Sequence, residues 1–301
     1  MNNKLLRAAF LGTAFCSFSW AALIGNDFNG ILYDVNQTTG AATNPRPTGI
    51  SNLAGIAFNS SGILYGISMP DGGLTESLYT INPVTAASTL IGTSSVFNTF
   101  TDQFFEGDLR FDPVSGTLFG VEYLSVPSPL PVPKGFTINP ATGGISQASL
   151  FNLPCFNNSC LVDYSALAIN SGGQLYILDT ASLDPFGHLI VGSGNPFTTT
   201  LNVNLSSPLG NLAGMDFDPT TGTLYVADGG TGGGNLYTLN PANGDLTLVG
   251  SLGLTNGLAG LAFSPGVPEP GAFPLLIAGI AGLFAARKFI IGSRCSAEEG
   301  L

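Results

Sequence analysis

The feature that most constrains this 301-residue chain is a phrase that recurs five times. An apolar segment ends in Phe or Ile and runs into a turn rich in Asp, Asn, Pro and Gly. A Leu-Tyr or Leu-Phe segment follows, then a second one leading into Asn-Pro, then a segment carrying Gly. The first segment occurs at 53–58, 108–111, 166–169, 212–217 and 258–263. The second occurs at 63–66, 117–120, 174–176 and 223–225. The third occurs at 31–33, 77–79, 135–136, 188–189 and 235–237. The closing residues of the first segments, Phe58, Phe111, Ile169, Phe217 and Phe263, follow one another at intervals of 53, 58, 48 and 46 residues. A unit of that length cannot bury an apolar face alone, so the copies must stack on one another.

The period suits a four-stranded blade, and five first segments predict an all-β, five-bladed β-propeller. A six-bladed ring is the alternative, if the insertion 125–133 hides further strands. The turns have the required chemistry. Asp112-Pro113 and Asp218-Pro219 open type I turns with Gly116 and Gly222 as left-handed exits. Asn82-Pro83, Asn139-Pro140 and Asn240-Pro241 serve the next hairpin. The copies are out of phase with the chain ends. The last first segment, 258–263, has no successors, and its missing partners lie at the N-terminus, at 23–25, 31–35 and near Ala41. Pairing the two ends would close the ring and remove exposed edges. Over roughly 22–264 the chain resembles the loosely defined propeller repeats of secreted bacterial proteins, a resemblance that speaks to architecture and not to activity.

Counting back from the closing Phe or Ile, the last and third-last residues are always apolar, and period-two alternation puts them on one face. The residues between are small in three copies: Gly55 and Ala57, Ala166 and Ala168, Gly260 and Ala262. Charge intrudes in the others. The second copy carries Glu106, Asp108 and Arg110, and the fourth carries Asp216. Either these four form a polar cluster in the channel, able to hold a cation such as calcium or a polar ligand, or Arg110 makes a buried structural ion pair.

Composition narrows partners. Between the two ends of the chain, about 245 residues hold sixteen acids and three bases, Arg46, Arg110 and Lys134, near a charge of −13. Such a surface excludes nucleic acid as a partner. Cys155 and Cys160 read as a local disulfide in an oxidising compartment, with a metal pair as the alternative. The glycine-rich run 228–235 lacks the Lys-Ser/Thr and helix of a phosphate loop and reads as a hairpin loop, though Asp228 and Asn235 leave room for calcium. His188 is the only histidine. No nucleophile stands at a recognisable spacing from it, and neither Gly-x-Ser-x-Gly nor His-Glu-x-x-His is present.

Both ends carry addresses. Lys4 and Arg7 precede an apolar run, 8–18, and Ser19-Trp20-Ala21 supplies small residues for signal-peptide cleavage after Ala21, giving a signal peptide over 1–21. At the other end come Val267, Pro268, Glu269 and Pro270, then an apolar stretch, 271–286, then Arg287 and Lys288. Sixteen helical residues span about 24 Å, and Phe289, Ile290 and Ile291 extend them, so a transmembrane helix is expected at about 272–291. This order resembles the PEP-CTERM sorting tail of Gram-negative bacteria, which an exosortase processes. Here the chain continues past the basic pair as 292–301. The resemblance implies export across the inner membrane, transient anchoring through the 265–301 tail, exosortase as a partner, and a cell-surface or matrix destination linked to exopolysaccharide. A non-catalytic binding or structural role without a cofactor is expected. The alternative is a secreted propeller enzyme acting on glycans or peptides. Scarce His, Lys and Arg leave few groups for acid–base work.

Overall fold

The computed structural model describes residues 21–69, 75–94, 104–124, 134–152, 164–180, 186–194, 197–210, 212–230 and 234–265. The expected signal peptide up to Trp20, Cys155 and Cys160, the insertion 125–133 and the whole sorting tail from Val267 lie outside the described residues. The described residues fall within one compact unit and contain no helix.

They form five four-stranded antiparallel sheets arranged as a five-bladed propeller. Four blades are simple meanders, each running outward from its first strand. They comprise β4 (Leu53–Phe58) to β7 (Ser88–Ser94), β8 (Phe104–Phe111) to β11 (Ile145–Asn152), β12 (Tyr164–Ile169) to β15 (Thr198–Asn204), and β16 (Leu212–Phe217) to β19 (Leu246–Ser251). The fifth is assembled from both ends of the chain. Its innermost strand is β20 (Gly260–Phe263), followed by β1 (Leu23–Asn26), β2 (Ile31–Val35) and β3 (Ala42–Pro47). Leu23 pairs with Phe263 and Asn26 with Gly260. The ring therefore closes as the phase of the repeat predicts. The innermost strands β4, β8, β12, β16 and β20 neighbour one another around the axis, and β20 meets β4.

The two alternating faces of each inner strand do different work. The apolar positions pack back on the preceding blade: Ile56 and Phe58 join Ile24, Leu32 and Ala262 in one core cluster. The small positions face the next blade and let it approach. A Cβ on Gly214 would run into the backbone of Gly260 and Leu261 of β20, and one on Gly260 would meet the backbone of Gly55 and Ile56 of β4. These glycines are required by close packing at the axis.

A second joint was hidden in the recurring Tyr. Opposite the small position, the second strand of a blade carries an aromatic that meets the closing residue of the next blade. Tyr65 and Phe111 meet edge-on with ring centroids 5.1 Å apart, Tyr176 and Phe217 edge-on at 5.0 Å, and Tyr225 and Phe263 tilted at 5.6 Å. Phe119 packs in the cluster of Ile169, and Ile24 in that of Phe58, so the joint runs around the ring.

The turns hold their predicted chemistry. Asp112 and Asp218 accept the amides of Val114 and Thr220, and Gly116 and Gly222 both have φ of 72°. In the third hairpins Asn36, Asn82, Asn139 and Asn240 accept amides two residues on. Their exits are Gly40, Gly143 and Gly244 in the left-handed region, with Ala86 at φ 58° in the remaining one.

Candidate functional site

Position on the innermost strands decides what the intruding charges do. Arg110, Asp108 and Asp216 are all buried, at 5%, 1% and 8% exposure. Arg110 reaches across the axis. Its Nε donates to the carbonyl of Leu167 on β12 at 3.3 Å, and Nη2 donates to the carbonyls of Met215 on β16 and Leu261 on β20, both at 2.7 Å. Its Nη1 pairs with Asp216 at 2.9 Å. One guanidinium thus links four blades. The inner edges of these strands carry peptide groups that no further strand can satisfy, and the planar fork of Arg is suited to serve several carbonyls at once.

The two carboxylates serve the matching amides. Asp108 accepts the N–H of Leu109 and, across the blade gap, that of Leu167. Asp216 accepts the N–H of Phe217 and, across the next gap, that of Phe263. Asp108 lies 3.9 Å from the guanidinium, so one cation faces two acids. Burial pushes Asp108 up to about 8, against the opposing pull of Arg110 and the two amides. Burial also raises Asp216. A proton kept on Asp108 lets the trio carry no net charge, which a buried site favours.

Of the groups in this cluster, Arg110 pairs with Asp216, and Arg110, Asp108 and Asp216 all hydrogen-bond the backbone of neighbouring blades. Glu106 sits on β8 ahead of Asp108, but its side chain lies outside the described residues. Among the described residues no three His, Cys, Asp or Glu side chains gather as metal ligands. Asp228 accepts the Gly210 amide and Asn235 donates to the Tyr237 hydroxyl, both local structural duties at the ends of the glycine-rich run. His188 opens β14 (His188–Ser193) opposite Asp179.

Above the plug the axis opens. At the C-terminal ends of the inner strands lies a basin of about 530 Å³. The closing residues Phe58, Phe111, Ile169, Phe217 and Phe263 ring it, Arg110 and Asp216 lie at its floor, and Pro113, Pro140, Pro219 and Pro265 belong to its wall. Such a volume and such a lining, mostly apolar with a few convergent polar groups, are those of small-molecule sites. The sequence placed the charges on the inner strands; it did not reveal that the five closing residues come together as one apolar mouth.

No protein-family model matches this chain, and no curated protein matches it. Solved structures do. One is a chain of a nidogen/laminin complex, 12% identical, with 81% of this chain and 98% of that one covered and a TM-score of 0.49. Another is the periplasmic gluconolactonase PpgL of Pseudomonas aeruginosa, 14% identical over 77% of this chain and 82% of that one, TM-score 0.42. A third is a GH43 β-1,3-galactosidase, 10% identical over 77% of this chain and 49% of that one, TM-score 0.49.

Proposed function

We propose that this protein is an exported, non-catalytic binding propeller, delivered to the cell surface or extracellular matrix by its C-terminal tail and acting there on exopolysaccharide. The observation that carries the non-catalytic reading is the plug. A hydrolase built on carboxylates needs two acids facing substrate across an open cleft, ~5–10 Å apart. Asp108 and Asp216 instead accept backbone amides and share one guanidinium. The delivery reading rests on Val267, Pro268, Glu269 and Pro270 followed by an apolar stretch and Arg287-Lys288, the sequence order of an exosortase substrate.

Mass spectrometry of the protein recovered from its native host tests delivery. A C-terminus between Pro265 and Glu269 is expected, and an intact Leu301 would reject processing. Incubation with the host's exopolysaccharide tests the rest: co-sedimentation without release of shorter chains is expected, and release of reducing ends would reject the non-catalytic reading.

A further inference from the structure

We propose that the basin at the axis is a saccharide site and that its occupant is an uncharged oligosaccharide. The inference rests on the reading above that the protein binds and does not transform its partner.

The wall is aromatic. Phe111 and Phe217 are only half-buried, and both line the basin, as does Tyr65, which is held edge-on to Phe111. These rings are fixed by the joints between blades, so they present apolar surface at little further entropic cost. The floor is polar but spent. Of the five N–H groups of a guanidinium, Arg110 directs one at Leu167, two at Met215 and Leu261, and one at Asp216, which leaves one Nη1–H. The rim carries the exposed hydroxyls of Ser60 and Ser171 and the turn carboxylate of Asp112.

Charge then selects among ligands. The guanidinium is already matched by Asp216, and among the described residues no other cation lines the basin, so an anion finds no unmatched positive charge there and meets Asp112 at the rim. A cation finds only Asp112 unmatched at the rim, and its two oxygens already accept the amides of Val114 and Ser115 and the Ser115 hydroxyl. A wholly apolar molecule would strip water from the Ser, Asn and Asp groups of the rim without replacing the lost hydrogen bonds. A neutral pyranose satisfies both demands, with C–H faces for the rings and equatorial hydroxyls for the rim and the remaining Nη1–H.

The test uses the full chain in a sugar-free detergent and saturation-transfer NMR. The probes are tetrasaccharides of β-1,3-, β-1,4- and α-1,4-linked glucose, with tetragalacturonate and the chitosan tetramer as charged comparators. At least one neutral probe is expected to bind with a Kd below about 1 mM and more tightly than either charged one. Ser60→Trp and Ser171→Trp, at exposed positions, fill the mouth; each is expected to weaken binding by about tenfold or more without lowering the unfolding temperature. Absence of binding by every neutral probe, or preference for a charged one, overturns the proposal. Neutral binding that survives both tryptophans also overturns it, while leaving a binding protein whose site lies elsewhere. Cleavage of a probe would instead strike at the non-catalytic reading itself.

Discussion

At the scale of single residues the centre of the molecule depends on Arg110. Removing one partner of a buried pair is costly because the other is left uncompensated. Arg110→Met strands Asp216 and leaves the carbonyls of Leu167, Met215 and Leu261 without a donor. A loss on the order of 3–5 kcal/mol is expected in denaturant unfolding. Arg110→Met with Asp216→Asn removes the stranded charge and should recover part of that loss, a coupling that a double-mutant cycle reads directly. Two acids add a pH dependence. Burial holds both Asp108 and Glu76 up to about 8, and neither Glu76 oxygen has a hydrogen-bond partner. The unfolded chain releases these protons near pH 4. The folded state binds more protons between those limits, so the stability these groups contribute is whole below about pH 4 and is lost as pH rises toward 8. The unfolding temperature should therefore fall as the pH is raised from about 5 to about 8. Glu76→Gln should flatten that slope and raise stability at the alkaline end; an unchanged slope would contradict the assignment.

At the scale of elements, glycine has two separate duties, and a pair of alanine substitutions tells them apart. Gly250 on β19 faces the turn of the neighbouring blade, and a Cβ there would run into the Thr39 carbonyl. Gly92 on β7 stands in the same relation to Thr142. Gly253 is left-handed, with φ of 71°, but has open space where a Cβ would go. Gly250→Ala should cost about 2–3 kcal/mol through overpacking against backbone. Gly253→Ala should cost about 1 kcal/mol, from the left-handed backbone alone. Calorimetric unfolding of the two variants separates them, and equal losses would sink the account. The elements also mark what the sequence could reveal. Turn residues and inner strands were legible because their chemistry is local: Asp112 caps its own turn, and period-two alternation lies within six residues. The work of Arg110 was not legible, because its acceptors Met215 and Leu261 lie 105 and 151 residues away. The outermost strands were faint for another reason. β15 and β19 are largely exposed, so burial imposes little pattern on them.

At the scale of the whole molecule, stability rests on closure. A ring has no end blades, so each blade is held by two neighbours, and the blade built from β20, β1, β2 and β3 is held only if both ends of the chain arrive. Four residues of β20 carry a disproportionate share. Leu261 and Phe263 are buried with Leu23, Tyr33 and Tyr225, the Leu261 carbonyl takes an N–H of Arg110, and the Phe263 amide is held by Asp216. Ser264 adds a last clasp, donating its amide to Ala22 and accepting that of Ala22 on its hydroxyl. A chain ended after Pro265 keeps all of this, whereas one ended after Ala259 loses the inner strand of a blade and uncovers the edge of β1. The first should unfold cooperatively at the same temperature as the full chain. The second should lose the single transition and aggregate through its open edge. Calorimetry and light scattering of the two truncations distinguish these outcomes. Retention of one sharp transition by the shorter chain would mean that the ring is held by its blades individually and not by its closure. The same result bears on delivery, because cleavage within 265–269 releases a complete ring only if everything the fold needs ends at Pro265.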